Sequence, residues 1–193
     1  SIRNLMWMQP FEIADGAADG LTTRLTCDDL TLRFEIARDS DGGICVEGEL
    51  RLSEADAPPM DETLDLASLL ARGEAIDAGQ DAIYAGFERM GFLFGPAFRI
   101  TRERYRLAEG ALCRLRLPES LRAGFDAYGL HPTLLDAVLR SALAVDAGEN
   151  GLPTIPIVPF ALDELEYRHP LSEECYVYVT RRRDAVADSG VGM

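Results

Sequence analysis

The chain has no lysine: all 19 of its basic residues are arginine. A Schiff-base lysine and a P-loop lysine are therefore excluded from this stretch. Cysteine is scarce and dispersed. Cys27, Cys45, Cys113 and Cys175 form no Cys-x-x-Cys pair, and with His131 and His169 as the two histidines no metal-ligand spacing arises. Each cysteine sits in an alternating apolar stretch, where a buried, reduced thiol is expected, in a reducing compartment. No run approaches the roughly 18–20 unbroken apolar residues of a membrane span. The opening Ser1-Ile-Arg-Asn-Leu-Met-Trp7 lacks the basic-then-apolar order of a signal peptide. The expected location is cytoplasmic, with no membrane partner. Positive charge is in deficit, 19 basic residues against 33 acidic ones for a net charge of −14. Such a surface repels phosphate backbones, so no nucleic-acid partner is expected either.

What is present is a chain able to pack. Hydrophobic residues make up 47% of its 193 positions, which excludes disorder as the default. Ile2, Leu5, Met6 and Trp7 already read as core, as in a chain that opens inside a domain. Leu21, Thr23, Leu25 and Cys27 alternate with polar residues. Asp28-Asp29 marks a turn, and Leu30, Leu32, Phe34 and Ile36 alternate again. After the turn Asp39-Ser-Asp-Gly-Gly43, Ile44, Val46, Gly48, Leu50 and Leu52 continue one face. This period of two describes an antiparallel meander buried on one side. Ser53-Glu-Ala-Asp-Ala-Pro-Pro59 breaks regular structure. Residues 58–80 read as an acidic linker with a helical turn or two around Leu64 to Leu70. Asp81 reads as the N-cap of a short helix carrying Ile83, Phe87 and Met90. Strands are expected at Phe98–Leu107, Ala111–Leu117, Ile157–Arg168 and Cys175–Arg183. Pro132 opens the strongest helix, 132–145, with Leu134, Leu135, Val138, Leu139, Ala142 and Leu143 as its apolar stripe. The fold class is α+β, an antiparallel sheet wrapped around a helix.

On that helix Asp136 lies off the leucine stripe, one turn before Arg140. A carboxyl near a helix start is an ordinary feature, and spacing alone favours a surface Asp–Arg pair. Three segments add more. Gly91-Phe-Leu-Phe-Gly-Pro-Ala-Phe98, His131-Pro-Thr-Leu-Leu-Asp-Ala137 and Val158-Pro-Phe160 follow one another in that order. They resemble the Gly-Tyr-x-Tyr-Gly-Pro-x-Phe, His-Pro-x-Leu-Leu-Asp and Leu-Pro-Phe-x-Trp segments of polyketide synthase dehydratase domains. The resemblance covers roughly residues 1–183. It implies a double hotdog fold, each half wrapping a sheet around a long helix. Residues 1–57 would be the remainder of the first hotdog, 58–80 the linker and 81–193 the second, with the start of the first hotdog and the end of the second lying outside the chain.

The activity so implied is syn elimination of water from a β-hydroxyacyl chain. A His of the first hotdog removes the α-proton, and an Asp on the second hotdog helix protonates the departing hydroxyl. Asp136 matches that Asp, and burial among leucines would suit an acid. Gly95, Pro96, Phe98, His131, Pro159 and Arg140 are the candidate substrate-binding residues. Gly91, Gly95 and Pro96 would shape a tight turn by the substrate path. No metal or organic cofactor is implied. The acyl chain would arrive on the phosphopantetheine arm of an acyl carrier protein, among neighbouring domains such as a ketosynthase, in a homodimer. Arg99, Arg102, Arg104 and Arg106 are candidates for carrier docking, beside the plainer reading of strand-face solubility.

The sequence also departs from the pattern. No His-x-x-x-Gly-x-x-x-x-Pro segment is present; His131 reads as a capping or structural residue and His169 as a surface turn. Arg140 replaces the usual Gln or His one turn after the Asp, and a permanent cation there favours the carboxylate, the wrong direction for an acid. Phe92 and Phe94 replace tyrosines, and Leu162 replaces the usual Trp. An alternative reading follows: a non-eliminating dehydratase-like domain serving as a scaffold, or in β-branching beside a ketosynthase. A cyclase or isomerising relative is a weaker third, because Asp136 is retained.

Overall fold

The three alternating stretches of the first quarter become three adjacent strands of one sheet. A computed structural model describes residues 1–12, 18–28, 31–51, 63–77, 79–145 and 156–181. In chain order its elements are β1 (Ile2–Trp7), β2 (Leu21–Asp28), β3 (Thr31–Arg38), β4 (Ile44–Arg51), α1 (Leu66–Arg72), β5 (Glu74–Ala75), α2 (Gln80–Arg89), β6 (Thr101–Leu107), β7 (Gly110–Arg116), α3 (Pro132–Ser141), β8 (Ala161–Leu165) and β9 (Glu174–Thr180). The chain divides into two compact units, Ser1–Glu62 with Val158–Arg168, and Thr63–Ile157 with His169–Met193.

The first unit holds an antiparallel sheet in the order β2-β3-β4-β1-β8. Its register sets Leu25 against Phe34, Ile36 against Val46, and Leu32 against Leu50, so one face is apolar. The other face carries the cross-strand pairs Arg24–Glu35 at 4.0 Å, Arg33–Glu49 at 3.7 Å and Arg3–Glu164 at 2.6 Å. Exposed pairs of this kind contribute about 1 kcal/mol or less each, so they set the polarity of the face rather than its stability. No helix belongs to this unit among the described residues. Pairing of β8 with β1 sets Ile2 opposite Leu165. By sequence this strand falls with the second half, because local alternation carries no information on so distant a partner. Cys27, expected to be buried, is exposed on β2.

The second unit is built on the sheet β5-β6-β7-β9, also antiparallel. Its middle strand β7 is nearly continuous in apolar residues, and Ala111, Leu112, Cys113 and Leu115 are all at most 1% exposed. That pattern describes a strand covered on both faces. On one face α3 brings Leu134 and Ala137 against Ile100, Leu115 and Leu117. The 3-10 turn Ala142–Ala144 extends the contact, Ala144 meeting Ala111 and Cys113. Complete burial of Leu134 and Leu115 contributes about 2 kcal/mol each. On the other face α1 packs Leu69 against Leu107 and Leu112, flanked by Tyr105, Tyr176 and Tyr178. Part of the expected linker is therefore a cover for the sheet; residues 52–62 and 78 lie outside the described residues, as does the tail Asp188–Met193. Asp65 caps α1, its side chain accepting from the Ser68 amide at 3.0 Å.

Two helix expectations need correction. Asp81 is not an N-cap; α2 starts from Gly79, and Asp81 stands in its first turn, where the macrodipole favours a carboxylate. The buried residues of α3 are Thr133, Leu134, Ala137 and Ser141; Leu135 and Leu139 are only half-buried. Small side chains at 137, 141 and 144 let the helix approach β7, and pattern-reading by hydrophobicity alone passes over them. Gly110 meets a similar need for close approach, since a Cβ there would lie 1.8 Å from the Val179 carbonyl oxygen.

Burial pushes the Cys113 thiol up to about 11, with a hydrogen bond to Ser141 acting the other way. The folded state thus keeps a proton that the unfolded chain loses above about 9, so this group's contribution to stability falls between pH 9 and 11. We expect iodoacetamide to label Cys113 only as fast as the unit unfolds, read by mass spectrometry over time. Labelling of Cys113 at the rate of exposed Cys27 in native buffer would contradict this.

Candidate active site

The helix that carries Asp136 is started by its own sequence. His131 has extended backbone angles, Pro132 fills the first helical position where no amide donor is needed, and Leu135 N–H donates to the His131 carbonyl at 3.0 Å. The His131 side chain makes no cap hydrogen bond. His131 is 6% exposed, its ring stacked on Phe125 at 5.6 Å and edge-on to Tyr128 at 5.1 Å. Nδ1 is buried and has no partner among the described residues. His131 is thus a packing residue at the helix entry.

One turn into α3, Asp136 Oδ2 accepts a hydrogen bond from Arg140 Nε at 2.8 Å. The Asp136 side chain is 39% exposed and that of Arg140 only 10%. The carboxyl therefore faces outward within this chain, contrary to the expected leucine-lined burial, and the guanidinium is the enclosed partner. Arg140 Nη2 donates to the Phe98 carbonyl at 2.9 Å. Its guanidinium carbon lies 4.3 Å from the Phe94 ring centroid and 5.5 Å from that of Phe87, within cation–π range. Nη1 is buried without a hydrogen-bond partner among the described residues, on a side chain that rests against these aromatic rings. The surface-pair reading of Asp136 and Arg140 thus holds for the contact but not for its setting.

The Phe98 carbonyl is a junction. It also accepts from Tyr84 OH at 3.1 Å, and Tyr84 OH in turn accepts from the Thr101 amide at 3.0 Å. Gly95 and Pro96 lead into the 3-10 turn Pro96–Phe98 that holds this carbonyl. Gly91 ends α2 with φ +89°, while Gly91 N–H and Phe92 N–H donate to the carbonyls of Glu88 and Phe87, which closes the helix as a Schellman motif. Gly95 has φ −68° and open space where a Cβ would stand. No close backbone approach therefore requires glycine at position 95, contrary to expectation.

Asp136, Arg140, Phe98, Gly95, Pro96 and His131 all belong to the second unit, whereas Pro159 belongs to the first, in the exposed run before β8. The four arginines named as candidates for carrier docking, beside the reading of strand-face solubility, are each engaged within the chain. Arg99 meets Asp81 at 3.5 Å, Arg102 donates to Gln80, Arg104 grips Asp77 at 2.6 Å and Arg106 meets Glu74 at 3.8 Å. The residues missed by the sequence reading are Phe87 and Phe94 as a platform for Arg140. The helical spacing of Phe87 signals only core, and Phe94 stands out in the sequence only as a replacement for tyrosine. Among the described residues, no group of three or more His, Cys, Asp or Glu side chains is placed to hold a metal, and no helix is long and apolar enough to cross a membrane.

The model of the family described as "Polyketide synthase dehydratase N-terminal domain" matches residues 61–192. The chain belongs to the polyketide synthase dehydratase family. It is 30% identical over 174 residues to polyketide synthase ThaG of Burkholderia thailandensis, covering 86% of this chain and 3% of that one. It is 27% identical over 183 residues to polyketide synthase PksN of Bacillus subtilis, covering 92% of this chain and 3% of that one. The dehydratase domain from the CurK module of curacin polyketide synthase superposes with a TM-score of 0.82 at 20% identity, over 96% of this chain and 66% of that chain. Inactive mutants of the CurK dehydratase, one His-to-Phe and one Asp-to-Asn, match with TM-scores of 0.77 and 0.73. The fold is that of the double hotdog dehydratase domains. The chain spans under two thirds to about two thirds of such solved domains and a few per cent of the synthases.

Proposed function

We propose that this chain is part of a dehydratase domain that eliminates water from a β-hydroxyacyl chain held on an acyl carrier protein, with Asp136 as the proton donor. The observation that carries the reading is the place of Asp136 on α3, at the motif position of an aspartate in a chain of this family. That an Asp-to-Asn mutant and a His-to-Phe mutant of the CurK dehydratase are inactive supports a two-residue mechanism. A base takes the α-proton, the electron pair of that C–H bond forms the Cα–Cβ double bond, and the C–O bond breaks. The hydroxyl leaves as water with the proton carried by Asp136. The base would be a histidine contributed from outside these residues; His131, packed between Phe125 and Tyr128, is not placed for that role.

From the same reading follow a phosphopantetheine-borne substrate with no other cofactor, a neighbouring ketosynthase, a homodimeric setting and a cytoplasmic location. A second reading, a non-eliminating scaffold or β-branching domain, is favoured by one contact. Asp136 stands as acceptor to a permanent cation, the arrangement of a bracing carboxylate. The native polypeptide that carries this chain, incubated with a β-hydroxyacyl carrier protein, separates the two. Loss of one water by mass is expected; a bound acyl chain that keeps its hydroxyl would instead establish the second reading.

A further inference from the structure

Arg102, on β6, uses only one arm of its fork. Nη1 donates to Gln80 Oε1, and Gln80 Nε2 in turn donates to the Arg99 carbonyl at 2.6 Å. Nε is buried and meets no acceptor among the described residues, and Nη2 makes no hydrogen bond there either. Gln80 is neutral, so it leaves the guanidinium without a counter-charge. The carboxylates nearby are already engaged. Asp77 is gripped by Arg104 through two bonds of 2.6 and 2.7 Å, and Asp81 meets Arg99 at 3.5 Å. Glu103 accepts from Arg114 at 3.2 Å and from the Tyr105 hydroxyl at 2.9 Å. Arg102 also lines the wall of a cavity of about 50 Å³, together with Ala75, Gly79 and Ile83. Gly79 opens α2 with no side chain capping the first amides, and there is open space where its Cβ would stand. Both features favour negative charge at this wall.

We propose that this cavity is a binding site for a small monocarboxylate, of formate or acetate size, whose two oxygens accept from Arg102 Nε and Nη2. Those two donors form one edge of a planar fork that matches a carboxylate. Arg104 shows the same match within the chain, since its Nε and Nη2 are the atoms that hold Asp77. The volume sets the size of the guest. At about 10–15 Å³ for each water, the cavity takes roughly four waters, the space of a one- or two-carbon acid. Its charge is set by Asp77 and Glu103 on the same wall, which repel a dianion such as phosphate more than a monoanion. The site does not depend on the proposed elimination, and no bond is made or broken in it.

The test is a titration of the full chain with sodium formate at constant ionic strength, followed by arginine side-chain NMR. The Arg102 Nε–H signal, assigned by its loss in Arg102→Lys, is expected to shift saturably with a Kd of about 1–10 mM, because a three-atom ligand reaches about 1 mM at best. Sodium chloride and sodium phosphate in place of formate are expected to leave the signal where it is. Calorimetry of Arg102→Lys, which keeps the charge and loses the fork, should show formate binding weakened about tenfold or more. The wild-type titration stands by itself if that variant misfolds. No saturable shift with formate, an equal shift with chloride or phosphate, or undiminished formate binding in Arg102→Lys overturns the site.

Discussion

Asp136→Asn should abolish water elimination, by about a hundredfold or more, while the domain stays folded and still binds the acyl chain. A positioned general acid contributes about 10²–10⁴ in rate, and asparagine cannot supply the proton. The choice of asparagine matters because of Arg140. Its side chain is 10% exposed, so a variant that removes every acceptor leaves an enclosed cation without its carboxylate, at a cost of about 1–3 kcal/mol. Asparagine retains an oxygen that accepts from Nε. Asp136→Ala would confound a loss of chemistry with a loss of packing, and Asp136→Asn separates them. The measurement is the rate of water loss by mass spectrometry beside a thermal melt. A wild-type rate in Asp136→Asn would remove Asp136 from the chemistry.

Asp77→Ala should strongly destabilise the second unit. Asp77 and Arg104 have side chains 9% and 4% exposed, and they meet through two parallel bonds, Nε to Oδ2 at 2.6 Å and Nη2 to Oδ1 at 2.7 Å. Removing one partner of such a pair strands a buried charge, which costs about 3–5 kcal/mol. Neighbouring charges offer no substitute, because Glu103 is engaged with Arg114 at 3.2 Å. A cavity of about 50 Å³ lined by Ala75, Ile83 and Tyr105 adjoins Asp77 and Arg104, and truncation would enlarge it. Replacing both partners by apolar residues, as in Asp77→Leu with Arg104→Met, is expected to recover much of the loss. Urea denaturation followed by circular dichroism reads both effects. A loss below about 1 kcal/mol in Asp77→Ala would show that water reaches the pair freely.

Much of this architecture was legible in the chain. The alternations from Leu21 to Leu50 gave three strands within a residue or two of their ends, and the His-Pro entry located the start of α3. What local pattern could not supply was distance. Nothing around Ala161–Leu165 points to β1 as a partner, and nothing around Leu66–Leu70 says that an acidic, proline-led stretch ends as cover for a sheet. The site shows the same division. Asp136 and Arg140 were visible as neighbours at helical spacing, and so was their contact. The enclosure of Arg140 was not, because it depends on Phe87, Phe94 and Phe98, which lie between 42 and 53 positions earlier. Charged side chains read from a sequence default to solvent, and here the long cation is enclosed while the short anion is exposed.

The coverage of β7 on both faces has a consequence for inheritance. Most strands offer every second position to water, where mutation is nearly free. From Gly110 to Leu115 this strand offers little beyond Arg114, itself half-buried and bonded to Glu103 and Glu174. Drift through this segment is therefore restricted to exchanges of similar volume, and lineages that diverge widely in the surrounding loops should keep its sequence of small and large apolar residues in step with α1 and α3.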